Sequence, residues 1–170
     1  MSPILVFGFG NPSRGDDALG PRLVEALQSE FAERSVGDIE FLTDFQLQIE
    51  HALDLAGRSL VLFADAHVSC APPFDFRQLV ESQDDSYTTH AMSPASVLHV
   101  FRQVCRATPP PAFLLGIRGF RFGLGEELDR EAQYHLTSAV AFCRDLLARP
   151  ELTYWRSRCS DALSLAPAHA

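Results

Sequence analysis

Two adjacent carboxylates, Asp16 and Asp17, follow a glycine-rich run, Gly8-Phe9-Gly10-Asn11-Pro12-Ser13-Arg14-Gly15. Asp65 closes the apolar run Ser59-Leu-Val-Leu-Phe-Ala64, and His90 lies in Thr88-Thr89-His90-Ala91-Met92-Ser93-Pro94. Carboxylate oxygens with one imidazole form a ligand set suited to a divalent ion. The early glycines superficially match the dinucleotide fingerprint G-x-G-x-x-G, but Ser13 occupies the third glycine position. Two carboxylates would also face the pyrophosphate at the helix start, where its charge is least welcome. A cation reverses that logic, because the same oxygens then become ligands.

Each residue also has a plainer reading. Asp16 and Asp17 can simply cap the first helix and favour its positive end, worth about 1 kcal/mol; Asp16 is assigned to the cap and Asp17 to the site. Asp65 is expected at a strand end facing a cleft, because a charge buried within a sheet without a partner is costly, although a turn former would also sit there. His67 follows Asp65 at strand spacing and is a reserve ligand. His51, His99, His135 and His169 fall on expected helices or in the tail and are read as structural or surface residues. No serine lies in a G-x-S-x-G elbow and no cysteine in a recognisable protease motif, so a covalent nucleophile is not indicated.

These residues need elements to hold them. Ile4 to Phe9 reads as a first strand, and Leu19, Leu23, Val24, Leu27 and Phe31 follow at helical spacing. A second strand fits Ile39 to Leu42, a second helix Gln46 to Leu55, and the third strand ending at Ala64 is apolar enough to be buried on both faces and central. The segment from Val68 to His90 is loop-like, with an edge strand at Phe74 to Val80. Ser93 caps and Pro94 starts a helix carrying Val97, Leu98, Phe101, Val104 and Cys105 on one face. Ala112 to Ile117 forms another strand, and Leu128 to Leu147 a long final helix. Such alternation predicts a single three-layer α/β/α domain over residues 1–149, with a mostly parallel sheet of about five strands. Residues 150–170 are expected to be a mobile tail on which Tyr154 and Trp155 can still dock. Ligands of such sheets collect beyond the carboxyl ends of the strands, where Asp17, Asp65 and His90 all fall.

Composition narrows the partners. A chain of 170 residues with 46% hydrophobic and 21% charged residues suits one globular domain. No apolar run approaches the roughly 20 residues that span a bilayer, and no basic leader precedes the first strand, so a cytoplasmic location and no membrane are expected. A net charge of −8 argues against nucleic acid and anionic lipid. All 14 basic residues are Arg, which carries no functional inference. Cys70, Cys105, Cys143 and Cys159 are too scattered for a metal or redox motif, and no disulfides are expected.

With these segments in view, the chain resembles the nickel-iron hydrogenase maturation proteases, endopeptidases that trim the C-terminal extension of the hydrogenase large subunit. The resemblance is carried by Gly8-x-Gly10-Asn11-x-x-x-x-Asp16-Asp17-x-x-Gly20, Leu62-Phe63-Ala64-Asp65-Ala66, Thr89-His90-Ala91-Met92-Ser93-Pro94 and Leu114-Leu115-Gly116-Ile117, in matching order over about residues 3–148. Asp44-Phe45-Gln46-Leu47-Gln48 looks similar to the branch serving NAD-linked soluble hydrogenases. The resemblance implies that Asp17, Asp65 and His90 are the metal-contacting and catalytic residues, and that nickel arrives on the large-subunit precursor as a mark of a loaded substrate. Some members carry Glu where this chain has Asp17, and others place the histidine after the Ser-Pro pair, where this chain has Ala95. A monomer is expected. The rival reading on the same fold is a non-enzymatic nickel sensor or chaperone; a third, a small-molecule hydrolase or nucleotide-binding enzyme, has only the glycines and the parallel sheet behind it.

Overall fold

The computed structural model describes residues 3–32, 38–83 and 92–160. Five strands, β1 (Ile4–Phe9), β2 (Ile39–Asp44), β3 (Leu60–His67), β4 (Phe74–Gln78) and β5 (Ala112–Arg118), form one sheet in the order β2-β1-β3-β5-β4. The β2/β1, β1/β3 and β3/β5 pairs are parallel, and β4 lies antiparallel on β5 at one edge. The α/β class, the central place of β3 and the edge strand after it agree with the sequence.

The strands are apolar on both faces because both are covered. Ile4 and Val6 of β1, with Leu60, Leu62 and Ala64 of β3, pack against α1 (Leu19–Ala32) and α3 (Arg130–Ala148). The alternate residues Leu5, Phe7, Val61 and Phe63 pack with α2 (Pro94–Cys105) and with Leu47, Ala52 and Leu55. Ser93 caps α2 as its sequence predicts, its hydroxyl accepting the Ser96 N–H at 3.1 Å. Among the described residues no helix is long and apolar enough to cross a membrane.

Two expectations change. The helix expected over Gln46 to Leu55 is a 3-10 turn, Ile49–Leu55. Its winding of three residues per turn stacks Ala52 and Leu55 into the core and turns Leu53 outward, while Ile49, at the start of the turn, is exposed. The domain also runs past residue 149: α4 (Leu152–Ser157) seats Trp155 in the core with no exposed surface, its ring Nε1–H donating to the Leu146 carbonyl at 2.9 Å. Ser160 then bonds the edge of β4, its N–H donating to the Phe76 carbonyl and its hydroxyl accepting the Phe76 N–H. A six-residue helix is too short to show a period of its own, so its burial rests on long-range partners. Residues 161–170 lie outside the described residues.

Candidate functional site

Chain order reverses between β1 and β3: from β1 the chain moves outward to β2, then returns to β3 on the other side. Such switch points leave a crevice beyond the carboxyl ends of the two strands. β1 supplies the turn that carries Asp17, and β3 supplies Asp65.

Glycines make this junction possible. A Cβ on Gly20 would lie 2.5 Å from the Ala64 carbonyl oxygen and 2.7 Å from that of Phe9, so only glycine lets α1 press its first turn onto the ends of β1 and β3. Gly10, at φ 144°, would place a Cβ 2.0 Å from the Asp17 carbonyl oxygen. The spacing Gly8-x-Gly10 to Gly20 therefore has a packing cause that owes nothing to phosphate. Asp17 is held by its N–H to the Arg14 carbonyl at 3.0 Å, and its Oδ2 accepts the Asn11 N–H at 2.7 Å.

Asp65 lies near the end of its strand, as the sequence suggests. β3 continues through it to His67, with Asp65 opposite Gly116 of β5, whereas the pairing of β3 with β1 stops at Ala64. Asp65 thus projects just past the end of β1, on the strand face that Val61 and Phe63 share. Burial and the charge of Asp17 push its carboxyl up from 3.8 to about 7, against a smaller opposing effect of the Ala66 main chain. Near pH 7 Asp65 is therefore about half protonated, and a cation bound beside it would displace that proton.

Asp16 is not a helix cap. It is fully buried, and its carboxylate accepts the N–H groups of Phe120 and Arg121 at Oδ2 (2.6 and 3.0 Å) and of Asp129 at Oδ1 (2.8 Å). Sequence spacing carries no trace of partners more than a hundred residues away, which is why the capping reading seemed sufficient.

His67 is close in sequence to Asp65 but differently engaged. Its Nδ1 accepts the N–H groups of Ser69 (3.1 Å) and Cys70 (2.9 Å), and its ring lies over Gly116. The bonds assign the proton of the neutral ring to Nε2, which leaves neither nitrogen with a free lone pair. His67 thus serves the turn after β3 and not a metal. His90 lies outside the described residues; the chain resumes at Met92, whose N–H donates to the Leu47 carbonyl at 3.3 Å. Among the described residues no three His, Cys, Asp or Glu side chains are grouped to hold a metal ion. The described site is a carboxylate pair.

A cleft of about 500 Å³ opens beside Asp17, lined by Asn11, Arg14, Asp44, Phe45, Gln46 and Gln48. His51, read from the sequence as structural or surface, fixes this wall: its Nδ1 accepts the Gln48 N–H at 2.8 Å and its Nε2 meets Asp44 Oδ2 at 3.1 Å. Leu47, fully buried, anchors the wall from beneath. Sequence reasoning missed Asp44 as part of the site wall. Its signal was its place at the end of a strand paired with β1, opposite Phe9.

Several solved structures share this architecture. The NiFe hydrogenase maturation protease HycI from Thermococcus kodakarensis is similar with TM-score 0.68 and 20% identity over 87% of this chain and 94% of its own. The hydrogenase maturating endopeptidase HybD from E. coli is 26% identical with TM-score 0.64, covering 87% of this chain and 93% of its own. An endopeptidase from Escherichia coli, solved in solution, is 25% identical with TM-score 0.66 over 86% and 92% of the two chains. No family model and no curated protein matches the sequence.

Proposed function

We propose that this chain, which by structure belongs with the nickel-iron hydrogenase maturation proteases, is an endopeptidase that removes the C-terminal extension of a hydrogenase large-subunit precursor already carrying nickel. The observation that carries the reading is the carboxylate pair Asp17 and Asp65 at the switch point of a fold shared with such endopeptidases. Crowding of the two carboxyl groups, which pushes Asp65 up, would be relieved by a positive charge, and the precursor's nickel is the one the reading supplies. The two carboxylates and His90 would contact that metal, which polarises the scissile carbonyl or a water. A carboxylate held near neutrality is poised to take the proton that leaves the attacking water.

The surface beside the cleft fits a protein substrate. Phe45 of the cleft wall is 64% exposed, and Ile49 and Leu53 of the following turn are 60% and 59% exposed, apolar surface of a kind that partner proteins cover. The wall residues Gln46 and Gln48 offer amides that can pair with an extended peptide backbone.

Mass spectrometry of the large subunit before and after incubation tests the proposal. The purified protein should shorten the nickel-loaded precursor and leave the nickel-free precursor intact. Tight nickel binding by the isolated protein with no cleavage would instead favour a nickel chaperone.

A further inference from the structure

Asp16 has no part in the chemistry proposed for its neighbour, yet among the described residues it is the acidic side chain with no exposed surface. Its three acceptor bonds all reach the loop joining β5 to α3, at Phe120, Arg121 and Asp129. Main-chain bonds run alongside them. The Asp16 N–H donates to the Arg121 carbonyl at 2.6 Å, Gly15 N–H to Glu126 at 3.1 Å, and Gly125 N–H back to Ser13 at 2.7 Å. There is no slack, since a Cβ on Gly119 would meet the Asp16 Cβ at 2.8 Å. One residue later Asp17 turns away from this seam, and its carboxylate meets the Asn11 N–H.

We infer that Asp16 is a positioning residue for Asp17: its carboxylate staples the turn 13–17 to the loop 119–129, and that staple fixes the direction in which Asp17 leaves the turn. Alternating outward and inward carboxylates divide the work, one supplying chemistry and the other its placement. The inference rests on the proposed function only for its activity readout.

Asp16→Asn tests it with little change of shape. An amide keeps one acceptor oxygen, and whichever way it is turned its NH2 faces a main-chain N–H that the carboxylate had satisfied. Amide hydrogen exchange of the full chain should show lost protection at Phe120, Arg121 and Asp129, and also at Asn11, whose bond to Asp17 is the remote reporter. On nickel-loaded precursor kcat should fall roughly tenfold to a hundredfold with KM little changed, as displacement of a reacting group by about 1 Å commonly costs. Leu146→Ala, a core truncation on α3, controls for lower stability and should leave Asn11 protected. If Asp16→Asn does not fold, Gly119→Ala presses on the Asp16 Cβ at 2.8 Å without removing an acceptor and should weaken protection at Asn11. Wild-type protection at Asn11 in the altered protein, or equal loss in Leu146→Ala, overturns the inference. Should the wild type leave the precursor uncut, the protease reading fails while exchange at Asn11 still decides the role of Asp16.

Discussion

Two carboxylates withdrawn from water lie at the same end of the sheet, and their surroundings differ in kind. Asp16 is enclosed completely but meets three N–H donors from the loop that covers it. Asp65 is less enclosed but faces the like charge of Asp17 with only slight main-chain help, and its carboxyl is pushed up to about 7. Burial alone therefore does not mark a functional acid. What separates the two is the supply of donors: a carboxylate whose lone pairs are filled by the backbone is structural, and one left short is ready for a proton or a cation.

The largest expected effect falls on the under-supplied pair. Asp17→Ala or Asp65→Ala should lower cleavage of the loaded precursor by more than about a hundredfold, beyond the 10–100-fold typical of residues that only support a metal ligand. Mass-resolved cleavage time courses measure this, and near-normal rates in either variant would remove that residue from the site. Asp16→Ala should instead be read in stability. Three part-buried N–H groups lose their acceptor, and at about 1 kcal/mol each, the low end for an unmet donor, the unfolding free energy in urea should drop by roughly 3 kcal/mol. A drop below about 1 kcal/mol would mean that water replaces the carboxylate and that the contrast is false.

The pH dependence sharpens the comparison next. Because Asp65 has a folded-state value of about 7 against 3.8 when free, the folded state holds a proton that the unfolded chain has released between those limits. Its contribution to stability is therefore greatest below about pH 4, is lost as pH rises through 7, and is flat above. Asp65→Asn should flatten that slope in denaturation curves taken from pH 4 to 8; an unchanged slope would assign it to another group. The smallest effect belongs to a carboxylate that caps a helix and meets the exposed Arg121 guanidinium at 3.5 Å. Asp129 accepts the N–H groups of Glu131 and Ala132 at the start of α3, so Asp129→Ala should cost about 1 kcal/mol by thermal melts and leave cleavage intact.

Much of this was written locally. The alternation of apolar runs gave β1, β3 and β5, because a strand covered on both faces must be apolar on both, and the period of α1 survives intact as Leu19, Leu23, Val24, Leu27 and Phe31. Ser93 announced α2 because its hydroxyl needs only a backbone N–H three residues on. The segment after β2 misled, since its apolar spacing fits a helix equally well; Leu47 anchoring the wall and His51 bonding both Gln48 and Asp44 favour the tighter turn. That Trp155 docks was expected, but where it docks was not legible, because the groove it fills is built from β5 and α3.

By itself the sequence determined which side chains could do chemistry and at which end of the sheet they lie, because residues that follow a strand end are placed there by chain direction alone. Only the tertiary structure decided what each carboxylate is for. Asp16 and Asp17 are adjacent and identical in type, but Phe120, Arg121 and Asp129 close over Asp16, whereas Asp17 faces the charge of Asp65. Donors that come from more than a hundred residues away leave no spacing to read.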